Sequence, residues 1–598
     1  MAAEAPIPPL TDADLVRIRN RYRGARDKRF RPEGRHQYVA PKDIQARLLN
    51  DPFTPSLQRA PIDDEVDAIV IGAGFGGLMA GAMLRGLGVK RIRLVDQAGD
   101  VGGTWYWNRY PGARCDIESY IYAPLLEETG YMPTEAFITA TELLEHARRI
   151  AYQYDLYANA CFQTDVTRLE WDVASSRWVV HTSRGDRMRA RFVFAAPGPL
   201  QRAHLPAIPG QTDFQGHSFL TCRWDYAYTK GDVLGGLTGF GDKRVALIGT
   251  GATGVQVMPV MAEYCRHLYV VQRTPTPVGP RPNPKTDPAW VASLTPGWQE
   301  RRMRNFAAVT SGTPQGENLV ADEWTRYFGG VHAAIEAAPD PEAKARAHER
   351  FDFERDEYIR RHVDAVVADP KTAQALKHQF RYFCKRPTFS ATYLQAFNRS
   401  NVTLIDTDGR GLDRITATGL LFDGKEYPVD CIVYASGFEA DADYHTRCGF
   451  EIVGRDGLTL AEKWKNGSRT LHALNTHGFP NLFLLGGTQG GFYLNFVNRL
   501  NEDMKQARHI LGHLLASGKS LVEPTVEAED AWTAEIRRLN FVDTAYLDSC
   551  TPGQYNNWGD PLTDAYLQSG LYGLGPIALE DLLKAWRDAG TLQGLIFS

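Results

Sequence analysis

Apolar residues along the chain fall into two kinds of run. Short continuous stretches rich in β-branched residues lack polar alternation: "DAIVI" ending at Ile71, "RIRLVD" ending at Asp96, "ARFVFAAPGPL", "KRVALIG", "HLYVVQR", and "DCIVYASGF" from Asp430 to Phe438. Strands covered on both faces read this way, so the pattern predicts buried parallel sheet. Between Asn283 and Gln379 the pattern changes, and stretches such as "EAKARAHERFDFERDEYIRRHVDAVVAD" predict exposed amphipathic helices. One run, Ala68 to Leu84, holds 17 residues without a charge and nears the length of a membrane span. Its glycines keep a spacing that a membrane helix does not require, and they follow a β-branched strand. That combination predicts strand, tight turn and helix.

Gly72, Gly74 and Gly77 stand as G-x-G-x-x-G. The first glycine permits the turn, the second lets a pyrophosphate approach the backbone, and the third lets helix pack closely on strand, with the helix N-terminus facing the anion. The next strand ends in Asp96, 24 residues after Gly72, where a ribose hydroxyl finds an acceptor. The design returns at Gly249, Gly251 and Gly254, and the same offset of 24 gives Arg273, followed by Thr274. An acid accepts from a free 2′-hydroxyl, whereas an arginine suits a 2′-phosphate. The first site is therefore expected to take FAD and the second NADPH.

The expected fold class is α/β, with two Rossmann-like dinucleotide-binding domains, the NADP domain inserted in the FAD domain, and a helical subdomain. In residues, an N-terminal extension covers 1–65 and the FAD-binding domain 66–198 and 396–516. The NADP-binding domain covers 199–395 with a helical insert at about 283–379, and a C-terminal segment, 517–598, completes the substrate side. Such a division suits 598 residues, well beyond the size of one core. A net charge of −4 supplies no electrostatic reason to bind nucleic acid or a membrane surface. The eight cysteines form no CxxC pair and no metal-ligand cluster, so no metal is expected and a reducing compartment is the simpler reading. The N-terminus shows no apolar segment after a basic start, and a cytoplasmic location is expected.

Several strings together carry a family resemblance: "GGTWYWNRYPGARCDIESYIY" from Gly102 to Tyr122, the paired glycine motifs, "QRTP" at 272–275, "CKRPTF" at 384–389, and "FQGHSFLTCRWDY" from Phe214 to Tyr226. From about residue 65 onward the chain resembles the type I Baeyer-Villiger monooxygenases. Their pattern F-x-G-x-x-x-H-x-x-x-W-[PD] is met at Phe214, Gly216, Trp224 and Asp225, but Leu220 stands where the family has histidine. The resemblance makes this stretch the linker between the two nucleotide domains. Leucine there either disturbs the coupling of hydride transfer to oxygenation or packs in an apolar seam.

The resemblance implies that NADPH reduces FAD, that O2 adds to the flavin as a C4a-peroxide, and that this attacks a ketone to give an ester or lactone. It assigns Arg386 as the catalytic cation and Asp116 as the carboxylate that positions it. Taken alone, Lys385 and Arg386 read as a surface basic pair. The resemblance also places Lys385 with Arg273 and Thr274 on the NADPH 2′-phosphate, and Thr104, Trp105, Trp107 and Tyr122 against FAD. "GGTQGG" (Gly486 to Gly491), ahead of a helix from about Leu494, is expected to aim that helix's N-terminus at the flavin.

The N-terminal extension and the tail "CTPGQYNNWGDP" (Cys550 to Pro561) resemble those of longer members that accept bulky or cyclic ketones. Three alternatives differ in chemistry. A pyridine nucleotide-disulfide reductase needs a cysteine pair close to the first glycine motif, and only Cys115 lies near. A flavin monooxygenase acting on amine nitrogen or sulfur has no use for a cation that keeps the oxygenating group anionic. An uncoupled flavin redox sensor has only Leu220 in its favour.

Overall fold

Two sheets position everything else in the computed structural model, which describes residues 9–540 and 542–598. In the first, the strand Asp63–Ile71 lies between Ile92–Val95 and Arg187–Ala195, parallel to both. Arg177–Thr182, Val166–Asp172 and Glu451–Val453 extend the sheet, and Leu482–Leu484 pairs with the far end of Arg187–Ala195. The second sheet is five-stranded and wholly parallel, in the order Val402–Asp406, His267–Gln272, Arg244–Ile248, Cys431–Tyr434, His217–Leu220.

Each sheet delivers its central strand into a glycine turn of the same design. Gly72 has φ +104°, and a Cβ there would lie 2.4 Å from the Ala196 carbonyl oxygen; Gly249 has φ +113° and the same 2.4 Å conflict with Ala435. Only glycine turns this tightly under a neighbouring strand. A Cβ on Gly77 would lie 1.8 Å from the Gly72 carbonyl oxygen, which is the close approach of helix to strand that the motif requires.

The strands correct one expected boundary. The sequence pattern places residues 396–434 in the first nucleotide domain, but Val402–Asp406 and Cys431–Tyr434 pair into the second sheet. The chain rejoins the first sheet only at Glu451–Val453. A fully buried apolar strand carries no mark of which parallel sheet will hold it.

The linker stretch forms the edge of that second sheet. His217–Leu220 pairs with Cys431–Tyr434, and Leu220 is 1% exposed among Leu205, Cys222, Ile248 and Tyr434. The apolar seam is therefore where Leu220 lies. A histidine does act in this stretch, three positions earlier: His217 Nε2 is 2.9 Å from Asp225 Oδ2, and Asp225 Oδ1 accepts from Tyr228 N to cap the next helical turn. Arg223 reaches back to the first domain, its guanidinium 3.4 Å from the Trp107 ring centroid.

Five helices between Pro288–Ser293 and Pro370–Leu376 form the helical insert. The N-terminal helix Asp12–Arg29 packs on its longest member, Pro341–Val366, where the Tyr22 hydroxyl donates to Asp356 Oδ2 at 2.9 Å and His378 Nε2 lies 2.7 Å from Asp356 Oδ1. Among the described residues no helix is long and apolar enough to cross a membrane.

Because Leu220 is packed by apolar groups, Leu220→His buries a ring nitrogen among them. The substitution should destabilise the fold by about 1–3 kcal/mol. A lower melting midpoint would show this, and an unchanged midpoint would mean the seam holds a partner for the ring.

Candidate active site

A single cavity of about 1400 Å³ runs from the first glycine turn to the second. At one end its wall includes Gly72, Gly74, Asp96, Thr104, Trp105, Trp107 and Tyr122, and at the other Gly249, Gly251, Arg273 and Thr274. Asp116, Lys385 and Arg386 also line it. Gly77 and Gly254 stand behind the turns, packing helix on strand rather than facing the cavity.

The two ends fit dinucleotides. Helices Phe75–Gly86 and Ala252–Tyr264 begin at Gly74 and Gly251 without any side-chain cap, so their first N–H groups are left for an anion. Around Gly251 no atom lies within 4 Å of where a Cβ would sit, leaving the backbone open to close approach. Asp96 Oδ2 accepts from Ala73 N at 2.6 Å and Oδ1 from Ala98 N at 2.8 Å, bracing the first turn. A carboxylate has about four acceptor sites, so capacity remains for ribose hydroxyls.

The run "WYW" divides by role. Trp105 Nε1 donates to the Tyr122 hydroxyl at 3.2 Å, with the two rings edge to face at 5.7 Å. Tyr106, between the tryptophans, is fully buried and bonds Thr54 instead. The later helix starts at Phe496, and Asn495 both caps it at Val497 N (3.1 Å) and donates to Ile121 O at 2.7 Å. Leu494, Phe496 and Val497 face the cavity.

Asp116 and Arg386, 270 positions apart, meet in a two-pronged ion pair with Nε–Oδ2 at 2.7 Å and Nη2–Oδ1 at 3.0 Å. Burial disfavours both charges, but each answers the other. Arg386, with help from Arg281, holds the Asp116 carboxyl below its usual range, and Asp116 raises the Arg386 guanidinium above its own. Trp324 completes the mount: its Nε1 donates to the Asp116 backbone oxygen at 2.9 Å, and its ring centroid lies 4.7 Å from the Arg386 guanidinium. Tyr555 from the tail lines the same cavity as Arg386 and, after Asp116, adds to the raising of its pKa.

Lys385 turns elsewhere, donating to Pro552 O at 2.9 Å; burial first, then Arg273 and Arg29, press its pKa down to about 7. Arg281, Trp324 and Tyr555 had no signal in the sequence, since each reaches the site through a contact distant along the chain.

Residues 66–292 match the protein-family description "Pyridine nucleotide-disulphide oxidoreductase". The four cysteines in that range, Cys115, Cys161, Cys222 and Cys265, are buried free thiols, so the match reflects the two-nucleotide architecture without a redox cysteine pair. The chain is 50% identical to neopentalenolactone D synthase of Streptomyces avermitilis over 97% of its length and 99% of the relative's. It is 45% identical to Baeyer-Villiger monooxygenase 4 of a Dietzia species, covering 98% and 96%. Among solved structures, the polycyclic ketone monooxygenase from the fungus Thermothelomyces thermophila superposes with a TM-score of 0.91 at 37% identity, covering 98% of this chain and 99% of that one.

The tail is tied to the cation segment covalently. Cys384, next to Lys385, forms a disulfide with Cys550, 166 positions away. Spacing gave no reason to pair these two, and the reading of eight cysteines kept in a reducing compartment does not extend to them. The other six are free. Alkylation of unfolded, unreduced protein should therefore add six labels by mass and reduced protein eight; eight without reductant would deny the bridge.

Proposed function

The chain belongs to the Baeyer-Villiger monooxygenases, and from that membership we propose that its substrate is a bulky ring ketone worked on by Arg386 and Asp116. It is an FAD-dependent NADPH monooxygenase that inserts one atom of O2 beside a ketone carbonyl to give an ester or lactone. FAD bound at the first cradle would supply the redox chemistry, accepting hydride from NADPH and activating O2 for attack on the carbonyl.

One observation carries the assignment of the pair: its ion-paired fork lines the cavity that joins the two glycine cradles. Arg386 is charged at every working pH, and its planar donors hold a fixed direction. Asp116 takes Nε and Nη2, which fixes the guanidinium plane. A cation set in place before reaction stabilises the negative charge that grows on the ketone oxygen. The same cation disfavours a protonated, electrophilic oxygen donor, which amine or sulfur oxidation would need. In this reading Asp96 holds the FAD ribose, and Thr104, Trp105, Trp107 and Tyr122 wall the flavin. Arg273, Thr274 and Lys385 hold the NADPH 2′-phosphate.

Two things support a large apolar ketone. The solved relative of 37% identity is a polycyclic ketone monooxygenase. An aromatic path also leads outward from the arginine segment: Phe383 lies 5.6 Å from Tyr555 and 6.4 Å from Phe492, which is 48% exposed. Such rings offer broad apolar area to a fused-ring substrate.

Arg386→Ala should leave FAD content and flavin reduction intact while ester formed per NADPH falls at least about 100-fold. Normal ester yield, measured by gas chromatography, would remove Arg386 from the reaction. Lys385 yields a pH test, since its depressed pKa means that the cation is lost as pH rises through about 7. The NADPH Michaelis constant should climb by up to about tenfold per pH unit above that point, and Lys385→Arg should flatten the rise. A flat profile in the unaltered enzyme would take Lys385 off the phosphate.

A further inference from the structure

The far end of the cavity is closed by a segment that belongs to neither nucleotide sheet. After the helix Asp12–Arg29 the chain runs through Arg31, Gln37 and Tyr38 along the cavity wall, where Tyr38–Val39 pairs with Leu205–Pro206. This arm meets Arg273 directly. Arg273 Nη1 donates to Gln37 Oε1 and Nη2 to the Tyr38 hydroxyl at 2.7 Å. Tyr38 is held in turn by stacking on His204 at 3.9 Å.

Arg31 is anchored to the same corner. Its Nη2 donates to the Gly409 carbonyl at 2.8 Å, and Gly409 N donates to the Arg273 carbonyl at 2.9 Å. Arg31, Arg273 and Lys385 all line the cavity. Among the described residues, none of the three has a carboxylate oxygen within 4.0 Å; their partners are carbonyls, an amide and a phenol. Burial and then Arg273 lower the pKa of both Arg31 and Lys385, as like charges facing one another do. Three cations gathered with neutral partners at the edge of a cavity make a site for a multiply charged anion, and a phosphate monoester offers three strong acceptor oxygens.

We propose that the N-terminal arm completes the cofactor's 2′-phosphate site, with Arg31 and the Tyr38 hydroxyl joining Arg273 and Lys385 around the phosphate, so that this segment helps set the preference for NADPH over NADH. The proposal rests on the reading of Arg273 and Lys385 as phosphate ligands. It adds the arm as a specificity element and makes Arg31 the residue whose charge is read.

Calorimetric titration of the FAD-loaded protein with adenosine 2′,5′-bisphosphate and adenosine 5′-monophosphate tests it without turnover. Arg31→Ala should weaken the bisphosphate about tenfold or more and leave the monophosphate unchanged, collapsing their ratio, and Arg31→Lys should recover part of it. Arg35→Ala removes the arm's ion pair to Asp441, 3.3 Å in the native chain, and should keep the ratio. An equal loss in Arg35→Ala would assign the effect to loosening of the arm and overturn the role of the Arg31 charge. If Arg273→Ala collapses the ratio while both Arg31 variants keep it, the arm is not part of the site and the underlying reading stands. If Arg273→Ala also keeps it, that underlying reading falls as well.

Discussion

The fork between Asp116 and Arg386 is the constraint on which the rest of the structure depends. It joins the loop between the helical turns Thr104–Trp107 and Ser119–Tyr122 to the loop after the helical insert. Two charges taken out of bulk water are stable only when matched in geometry and number, and removing either one strands the other. The match here uses both carboxylate oxygens and two guanidinium nitrogens, with Trp324 holding the carboxylate's backbone and covering the guanidinium face. The insert supplies Trp324, so its packing against the N-terminal helix bears on how firmly the fork is held.

What could be read in advance was local. Gly72 and Gly249 announce their turns because a single positive φ under a neighbouring carbonyl admits no other residue, and the offsets to Asp96 and Arg273 follow from the length of one helix and one strand. The fork itself was legible only through family resemblance, since nothing near either residue names a partner 270 positions away. Cys431–Tyr434 is legible as a strand but not as a member of the second sheet, because burial on both faces erases the alternation that would tell sheets apart. Leu220, a departure from a pattern, acquires a physical meaning only beside its neighbours. It is the apolar group that the edge strand buries in the seam, while His217 makes the polar contact to Asp225.

The ends of the chain carry the least signal in their sequence and still reach the site. The N-terminal arm is polar and irregular, with no periodicity to interpret, yet it meets the guanidinium of Arg273. The tail brings Tyr555 to the cavity that Arg386 lines and places a backbone carbonyl on Lys385. Both ends therefore bear on cations contributed by the middle of the chain, an arrangement that only tertiary folding reveals.

The bond between Cys384 and Cys550 adds a mechanical consequence. A flap hinged only by weak contacts can lift on its own, but this one is welded to the strip that bears Lys385 and Arg386. Tail and strip have become one moving part, so thermal breathing cannot part them without dragging the guanidinium off its carboxylate.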